Sequence, residues 1–370
     1  MPTLTVHFPF LENLSHPPRL LISRVGGQKI NTGMDYTVAM QRAIALAEKG
    51  LGKTAPNPIV GAVIIDSTGA IIAEGFHDRM NSADHAEVVA IKAAGNKAKG
   101  ATIVVTLEPC NHTGSTGPCA QAIIDAGITT VVYAVSDPNA KAAGGADTLS
   151  AAGVTVVEGV LGDQAAFSNR AWLTKIKKKR PFFTWKVATT LDAKVAATDG
   201  TSKWITNEVS RADVQQLRRK ADAILVGTNT VIADDPHLIP RGEFAGFTHN
   251  PIRIICGEQT LPTTAKVFDN AADTVVVASK DLDVLVEKLN ELGVNHVLVE
   301  AGPTLGSAML DHCLLDELFI YQAPSLLGSG KQFFTFDYPS TITNQMRLDH
   351  ISTQVLDGDV KSVYRIRNGE

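Results

Sequence analysis

Cysteine is scarce in this chain and long apolar runs are absent from it. Four cysteines in 370 residues, Cys110, Cys119, Cys256 and Cys313, are too few for a disulfide scaffold. Reduced thiols in the cytoplasm are therefore expected, and metal ligation becomes a question worth asking. No uncharged stretch approaches the roughly 18 to 20 apolar residues of a transmembrane helix, so no membrane partner is expected. An excess of one charge is also lacking. With 34 Lys plus Arg against 38 Asp plus Glu, the net charge of -4 offers no overall attraction to nucleic acid or anionic lipid. Any phosphate must be held by local groups. The first 33 residues have neither the charged start nor the apolar core of a secretory signal and read as a poorly ordered tail.

What is there fits a folded protein of more than one domain: 44% of residues are hydrophobic and 19% charged. Asp35 precedes apolar residues at helical spacing, Tyr36, Met40, Ile44 and Ala47, which run to a stop at Gly50. Two strand-like runs, 59–65 and 70–73, flank Ser67-Thr68-Gly69 and predict a hairpin. Helical and strand patterns then alternate to about residue 152, which implies an α/β layer structure with parallel strands. The densest charge run, 175–180, ends at Pro181 before a new apolar run. It reads as a solvated linker or helix end, and the domain boundary is placed there. Strand and helix patterns resume to residue 367, so a second α/β domain is expected, with 360–367 as a last strand closing its sheet.

His85-Ala86-Glu87 opens a helical stretch, Glu108-Pro109-Cys110 ends a strand, and Cys119 follows Pro118 at the start of another helix. One His and two Cys give zinc three protein ligands and leave the fourth tetrahedral position for water, as in catalytic sites. Glu87, two residues from His85, is free to carry protons between that water and a leaving amine. His-x-Glu followed by Pro-Cys and a second Cys is the zinc deaminase signature. Eight residues separate Cys110 from Cys119, where short-loop nucleoside deaminases have two, and the longer loop suits a larger substrate.

In the second half nothing matches a Gly-x-Gly-x-x-Gly turn after a strand, so a Rossmann dinucleotide site has no support. The run 299–306 instead joins a strand to a helix, where backbone N–H groups can receive phosphate.

Pro56-Asn57-Pro58-Ile59-Val60-Gly61, His85-Ala86-Glu87, Thr106-Leu107-Glu108-Pro109-Cys110 and Asp137-Pro138-Asn139 together resemble the deaminase half of the bifunctional riboflavin-biosynthesis deaminase/reductase family. Lys186, Thr190-Leu191-Asp192, Ser202-Lys203-Trp204-Ile205-Thr206, Arg218, 231–236 and 299–305 follow in the order of that family's reductase half. The resemblance covers the chain from about residue 34 onward. It implies a cytidine-deaminase-like α/β/α domain over 34–175 and a dihydrofolate-reductase-like α/β domain over 181–370. It further implies hydrolysis of an amine from a phosphoribosylated diaminopyrimidinone, then NADPH reduction of the ribosyl group to a ribityl chain, by a cytoplasmic homodimer or larger assembly joined through the reductase domain.

Carried residue by residue, the resemblance puts His85, Cys110 and Cys119 on zinc, Glu87 as proton shuttle, and Asn57, His112 and Asn139 on the pyrimidine or its phosphoribosyl group. Ala188, Trp204, Thr230, Asp234, Gly302, Pro303, Thr304, Leu305, Gly306, Ser307 and Ala308 would lie near NADPH. Lys186, Ser202, Arg218, Leu238, Arg241 and Glu300 would face the reductase substrate. Departures fall at binding positions. Ser115 and Gly117 replace a basic residue and a Pro, Ala193 replaces a Gly, and Gly257-Glu258 replace Asp-Ser, with Glu258 expected to repel a cofactor phosphate. Two rivals are a tRNA-editing deaminase and a non-catalytic zinc-stabilised module. Against the first, residues 34–165 hold 8 Lys/Arg and 13 Asp/Glu, so the basic footprint of RNA binding is missing.

Overall fold

The computed structural model describes residues 22–25, 28–30, 34–114, 116–244, 249–335 and 341–367. The first domain is a three-layer α/β/α unit. Its seven-stranded sheet runs in the order Gln28–Ile30, Ile22–Val25, Thr155–Glu158, Thr130–Val135, Thr102–Leu107, Gly61–Ile65, Ile71–Phe76. The three strands between residues 102 and 158 are parallel, and the 61–65/71–76 hairpin is antiparallel as expected.

Burial on both faces explains the near-continuous apolar runs. Ile103, Val105 and Leu107 pack beneath the helices Ala86–Ala94, Cys119–Asp125 and Gly145–Ala151, while Val104 points to Met40, Ala43 and Leu46 of the helix Thr37–Ala47. Of the expected tail, 22–25 pairs with Thr155–Glu158 and 28–30 pairs with 22–25 as the edge strand, and the rest lies outside the described residues.

The second domain carries an eight-stranded sheet in the order Thr274–Val277, Ile252–Cys256, Ala223–Gly227, His296–Val299, Phe182–Thr189, Glu317–Gln322, Asp359–Ile366, Leu348–Leu356. The first six strands are parallel and the last two form an antiparallel hairpin. Here one expectation is corrected. Asp359–Ile366 does not close the sheet; Leu348–Leu356 lies outside it as the edge, and with only Leu356 buried it carries no alternating pattern to announce a strand.

The charge run 175–180 is only partly solvated. It ends the helix Arg170–Lys178, whose Trp172 and Leu173 belong to the first domain's core. Lys177, Lys178 and Lys179 are exposed, but Lys175 Nζ donates to Val294 O at 2.7 Å, and Arg180 is buried on Asp316 at 2.7 and 2.8 Å. These bonds tie the two domains together. Arg170 adds a two-pronged pair with buried Glu317 at 2.7 and 3.0 Å, and Asn290 donates to Lys179 O at 2.8 Å. Gly52, with φ +71°, approaches Arg219 so closely that a Cβ would stand 2.4 Å from its carbonyl oxygen.

Candidate active sites

The metal cluster is assembled from three element ends. His85 is the residue before the helix Ala86–Ala94, Cys110 follows the strand Thr102–Leu107, and Cys119 opens the helix Cys119–Asp125. Their ligand atoms lie within 4.8 Å of one another. His85 Nδ1 stands 3.6 Å from Cys110 Sγ and 3.3 Å from Cys119 Sγ, and the Cys119 amide donates to Cys110 Sγ at 3.5 Å.

The loop around Cys110 is fixed by Glu108, whose carboxylate accepts from the amides of Asp137, Gly144 and Ala146, each at 3.1 Å. Gly145 closes against Pro109 where a Cβ would come within 1.8 Å of the carbonyl oxygen.

The electrostatics suit a metal. Hydrogen bonding from the Cys119 thiol and His85 outweighs burial and holds the Cys110 thiol down at about 4. Cys119 is pushed up by that shared hydrogen bond and by burial, so the first negative charge of the pair falls on Cys110. One imidazole nitrogen and two thiol sulfurs at this spacing fit three corners of a zinc tetrahedron. Glu87, 3% exposed, has its carboxyl raised chiefly by burial, the shift a proton carrier needs.

The expected pyrimidine contacts are spread over three loops. Asn57 lies in the segment before Gly61–Ile65, His112 is exposed on the loop after Cys110, and Asn139 lies on the loop that Glu108 anchors. Asn139 also serves its own turn, since its Oδ1 accepts from the Lys141 amide at 3.3 Å. Ser115 lies outside the described residues.

Sequence reasoning missed His77. It is buried and kept neutral by that burial. Its Nδ1 meets Asp84 O at 3.1 Å, so its Nε2 is left to accept from Asn57 Nδ2 at 3.3 Å. A lone His after a strand carries no spacing signal.

The second site is a cleft of about 1310 Å³ across the carboxyl ends of the parallel strands, where open α/β sheets bind ligands. Lys186, Ala188, Ser202, Trp204, Arg218, Thr230, Asp234, Leu238, Arg241, Glu300, Gly302, Pro303, Thr304, Leu305 and Ala308 line it. Gly306 and Ser307 do not. Gly306 lies against the Trp185 ring, 2.1 Å from where its Cβ would be, and Ser307 Oγ accepts from the Thr335 amide, so both pack behind the wall. Gly302 precedes the nine-residue helix Pro303–Asp311 with no side-chain cap, which leaves first-turn amides for a phosphate. Trp204 is 68% exposed, with Arg211 stacked 4.6 Å from its ring centroid, rather than being part of the core.

Arg218 departs most from the sequence picture, because it is neither on a solvated face nor a free fork. It is 7% exposed and doubly bonded to Glu300, at 2.6 and 2.9 Å, with Nη1 on Ile239 O at 3.1 Å. Burial alone would raise the Glu300 carboxyl, but Arg218, Lys186 and Arg241 outweigh it and hold it at about 2. Burial in turn lowers Lys186. At the far end of the cleft Glu258 is paired with Lys280 at 2.9 Å, so the repulsion expected of it toward a phosphate is offset. Lys280 itself was not legible in the sequence.

A deaminase-type zinc cluster on an α/β/α layer, joined to a dihydrofolate-reductase-like sheet with a dinucleotide-sized cleft, defines a two-domain deaminase/reductase. Comparison with known proteins agrees with both halves. The model of the cytidine and deoxycytidylate deaminase zinc-binding region matches residues 34–135, and that of the RibD C-terminal domain matches 181–361. Riboflavin biosynthesis protein RibD of Mycobacterium tuberculosis is 43% identical over 326 residues, covering 87% of this chain and 95% of that one. Its Escherichia coli counterpart is 39% identical over 324 residues, covering 78% and 88%.

Two solved structures superpose on most of the chain. Acinetobacter baumannii RibD has a TM-score of 0.82 at 37% identity, covering 89% of this chain and 98% of that one. A diaminohydroxyphosphoribosylaminopyrimidine deaminase/5-amino-6-(5-phosphoribosylamino)uracil reductase of Thermotoga maritima has a TM-score of 0.83 at 36% identity, covering 90% and 98%. The chain belongs to the RibD family. Its deaminase domain depends on zinc and its reductase domain on NADPH.

Proposed function

We propose that the chain performs two successive steps of riboflavin biosynthesis: hydrolysis of the amine of a phosphoribosylated diaminopyrimidinone, then reduction of the ribosyl group to ribityl. One observation carries the reading: the His85/Cys110/Cys119 cluster with buried Glu87 beside it stands in the same chain as the cleft around Lys186, Arg218 and Glu300.

When bound at the cluster, zinc supplies the Lewis acidity that makes water a nucleophile near neutral pH. Glu87 takes a proton from the attacking water and delivers one to the departing amine. Asn57, His112 and Asn139 hold the pyrimidine and its phosphoribosyl group. In the second domain NADPH supplies the hydride, and the chain's work is to orient the opened sugar toward it. Ala188, Trp204, Thr230, Asp234, Gly302 to Leu305 and Ala308 hold the cofactor. Lys186, Ser202, Leu238 and Arg241 face the substrate, with Arg218 and Glu300 as a fixed ion pair that sets the charge of that wall. The limits 34–175 and 181–370 are widened in the first domain to take in the edge strands 22–25 and 28–30 and the end of the helix Arg170–Lys178. A cytoplasmic setting and a homodimer or larger assembly through the reductase domain complete the reading; sedimentation tests the latter. Among the described residues no helix is long and apolar enough to cross a membrane.

Mass spectrometry of the diaminopyrimidinone phosphoriboside, incubated with enzyme with and without NADPH, tests the sequence of steps. Deaminated product alone is expected without NADPH, and deaminated, reduced product with it. Glu87→Gln is expected to keep zinc, lose ammonia release and still reduce a pre-deaminated substrate. Ammonia release at the wild-type rate would remove Glu87 from its role.

A further inference from the structure

We infer that Asn295, in the reductase domain, is a positioning residue of the deaminase site. The inference rests on the deaminase reading above, in which Asn57 touches the pyrimidine. Asn57 lies between Pro56 and Pro58, neither of which has an N–H to donate, so its segment cannot be pinned by a strand ladder. It is pinned instead from three sides. The Asn57 amide donates to Thr54 O at 2.8 Å, its side-chain Nδ2 reaches His77 Nε2 at 3.3 Å, and its carbonyl accepts from Asn295 Nδ2 at 3.2 Å. That third bond crosses between the domains. Beside it, a Cβ on Gly293 would lie 3.5 Å from the Pro56 ring, so the reductase loop packs against the proline as well.

The donor itself is held rigidly. Asn295 is 5% exposed, and its amide and that of His296 both donate to Asp222 Oδ2, at 3.0 and 2.8 Å. Its carbonyl accepts from the Phe182 amide at 2.8 Å, and Lys175 Nζ holds the preceding carbonyl of Val294. The Asn295 side-chain Oδ1, by contrast, is buried without a hydrogen-bond partner among the described residues. A buried amide that leaves its acceptor unpaired is costly, and a small apolar residue would avoid the cost, so the single donor bond to Asn57 is what the side chain provides here. With the peptide of Asn57 fixed and its Nδ2 engaged by His77, its Oδ1 is aimed as the one acceptor left for a ligand N–H. His77 in turn meets Asp84 O, one residue before the metal-site His85, so the aim is referenced to the reacting centre.

Steady-state ammonia release by the full-length zinc enzyme tests this. Asn295→Leu keeps the branched shape of the side chain and removes the donor. Its KM for the diaminopyrimidinone substrate is expected to rise about tenfold, with kcat within about twofold of wild type. Zinc content and the kinetics of NADPH reduction on the deaminated substrate should stay unchanged. Asn295→Ser, which keeps a donor, should recover part of the loss, and it is read alone if Asn295→Leu fails to fold.

A double variant separates positioning from general support of the fold. Joined to Asn57→Ala, Asn295→Leu should add nothing to the KM of Asn57→Ala alone, since both act through one group. Additive losses, or an unchanged deaminase KM in a folded Asn295→Leu, would overturn the inference. If Asn57→Ala by itself leaves KM unaltered, the substrate role of Asn57 fails and the role of Asn295 falls with it. That result is distinct from one in which Asn57→Ala is impaired and Asn295→Leu is not.

Discussion

At the scale of single residues, the Arg218–Glu300 pair decides how the reductase wall is charged. Both side chains are about a tenth exposed, so removing one leaves the other charged and alone in a poorly solvated place. Arg218→Ala is therefore expected to do more than raise the reductase KM: stability should fall by about 3 kcal/mol. Titration gives the sign. Glu300 sits at about 2 in the folded protein against an ordinary 4.5, so its contribution is fully present above 4.5 and is lost as pH falls through 2. Thermal melts of wild type and Glu300→Gln should differ most at pH 7, and the gap should narrow at pH 3. The pairing was not legible in the sequence. Arg218 sits in Arg218-Arg219-Lys220, where a solvated helix face is the plain reading, and its partner is 82 positions away. The ligands His85, Cys110 and Cys119 were legible because zinc chemistry restricts residue type and spacing so severely.

Among secondary-structure elements, strands and helices of the first domain could be read because burial on both sheet faces writes long apolar runs. Leu348–Leu356 could not, for Leu356 is its one buried residue and burial imposes no period of two on the rest. The approach of the Gly145–Ala151 helix to the Cys110 loop was equally silent, since only its carbonyl contact with Gly145 demands the residue. Gly145→Ala would set a methyl into the Pro109 carbonyl, and the loop holding Cys110 must then shift. Zinc stoichiometry by elemental analysis is expected to drop well below one per chain, and full occupancy in the variant would show that the loop yields without cost.

For the whole molecule, the two domains meet through charged and close-packed contacts rather than a flexible tether: Arg170 on Glu317, Lys175 on Val294 and Gly52 on Arg219. They are expected to unfold together. Chelation of the metal should shift a single calorimetric transition to lower temperature; two peaks, with only one moved, would mean that the domains melt independently.

The strand His296–Val299 runs from Asn295, which grips the deaminase loop, to Glu300 and the Gly302 turn, which border the reductase cleft. Over about 16 Å of extended chain, one short stretch of gene therefore specifies a support for each reaction. An insertion or deletion there would be inherited by both activities at once, so neither half is free to change its length at that point without the other.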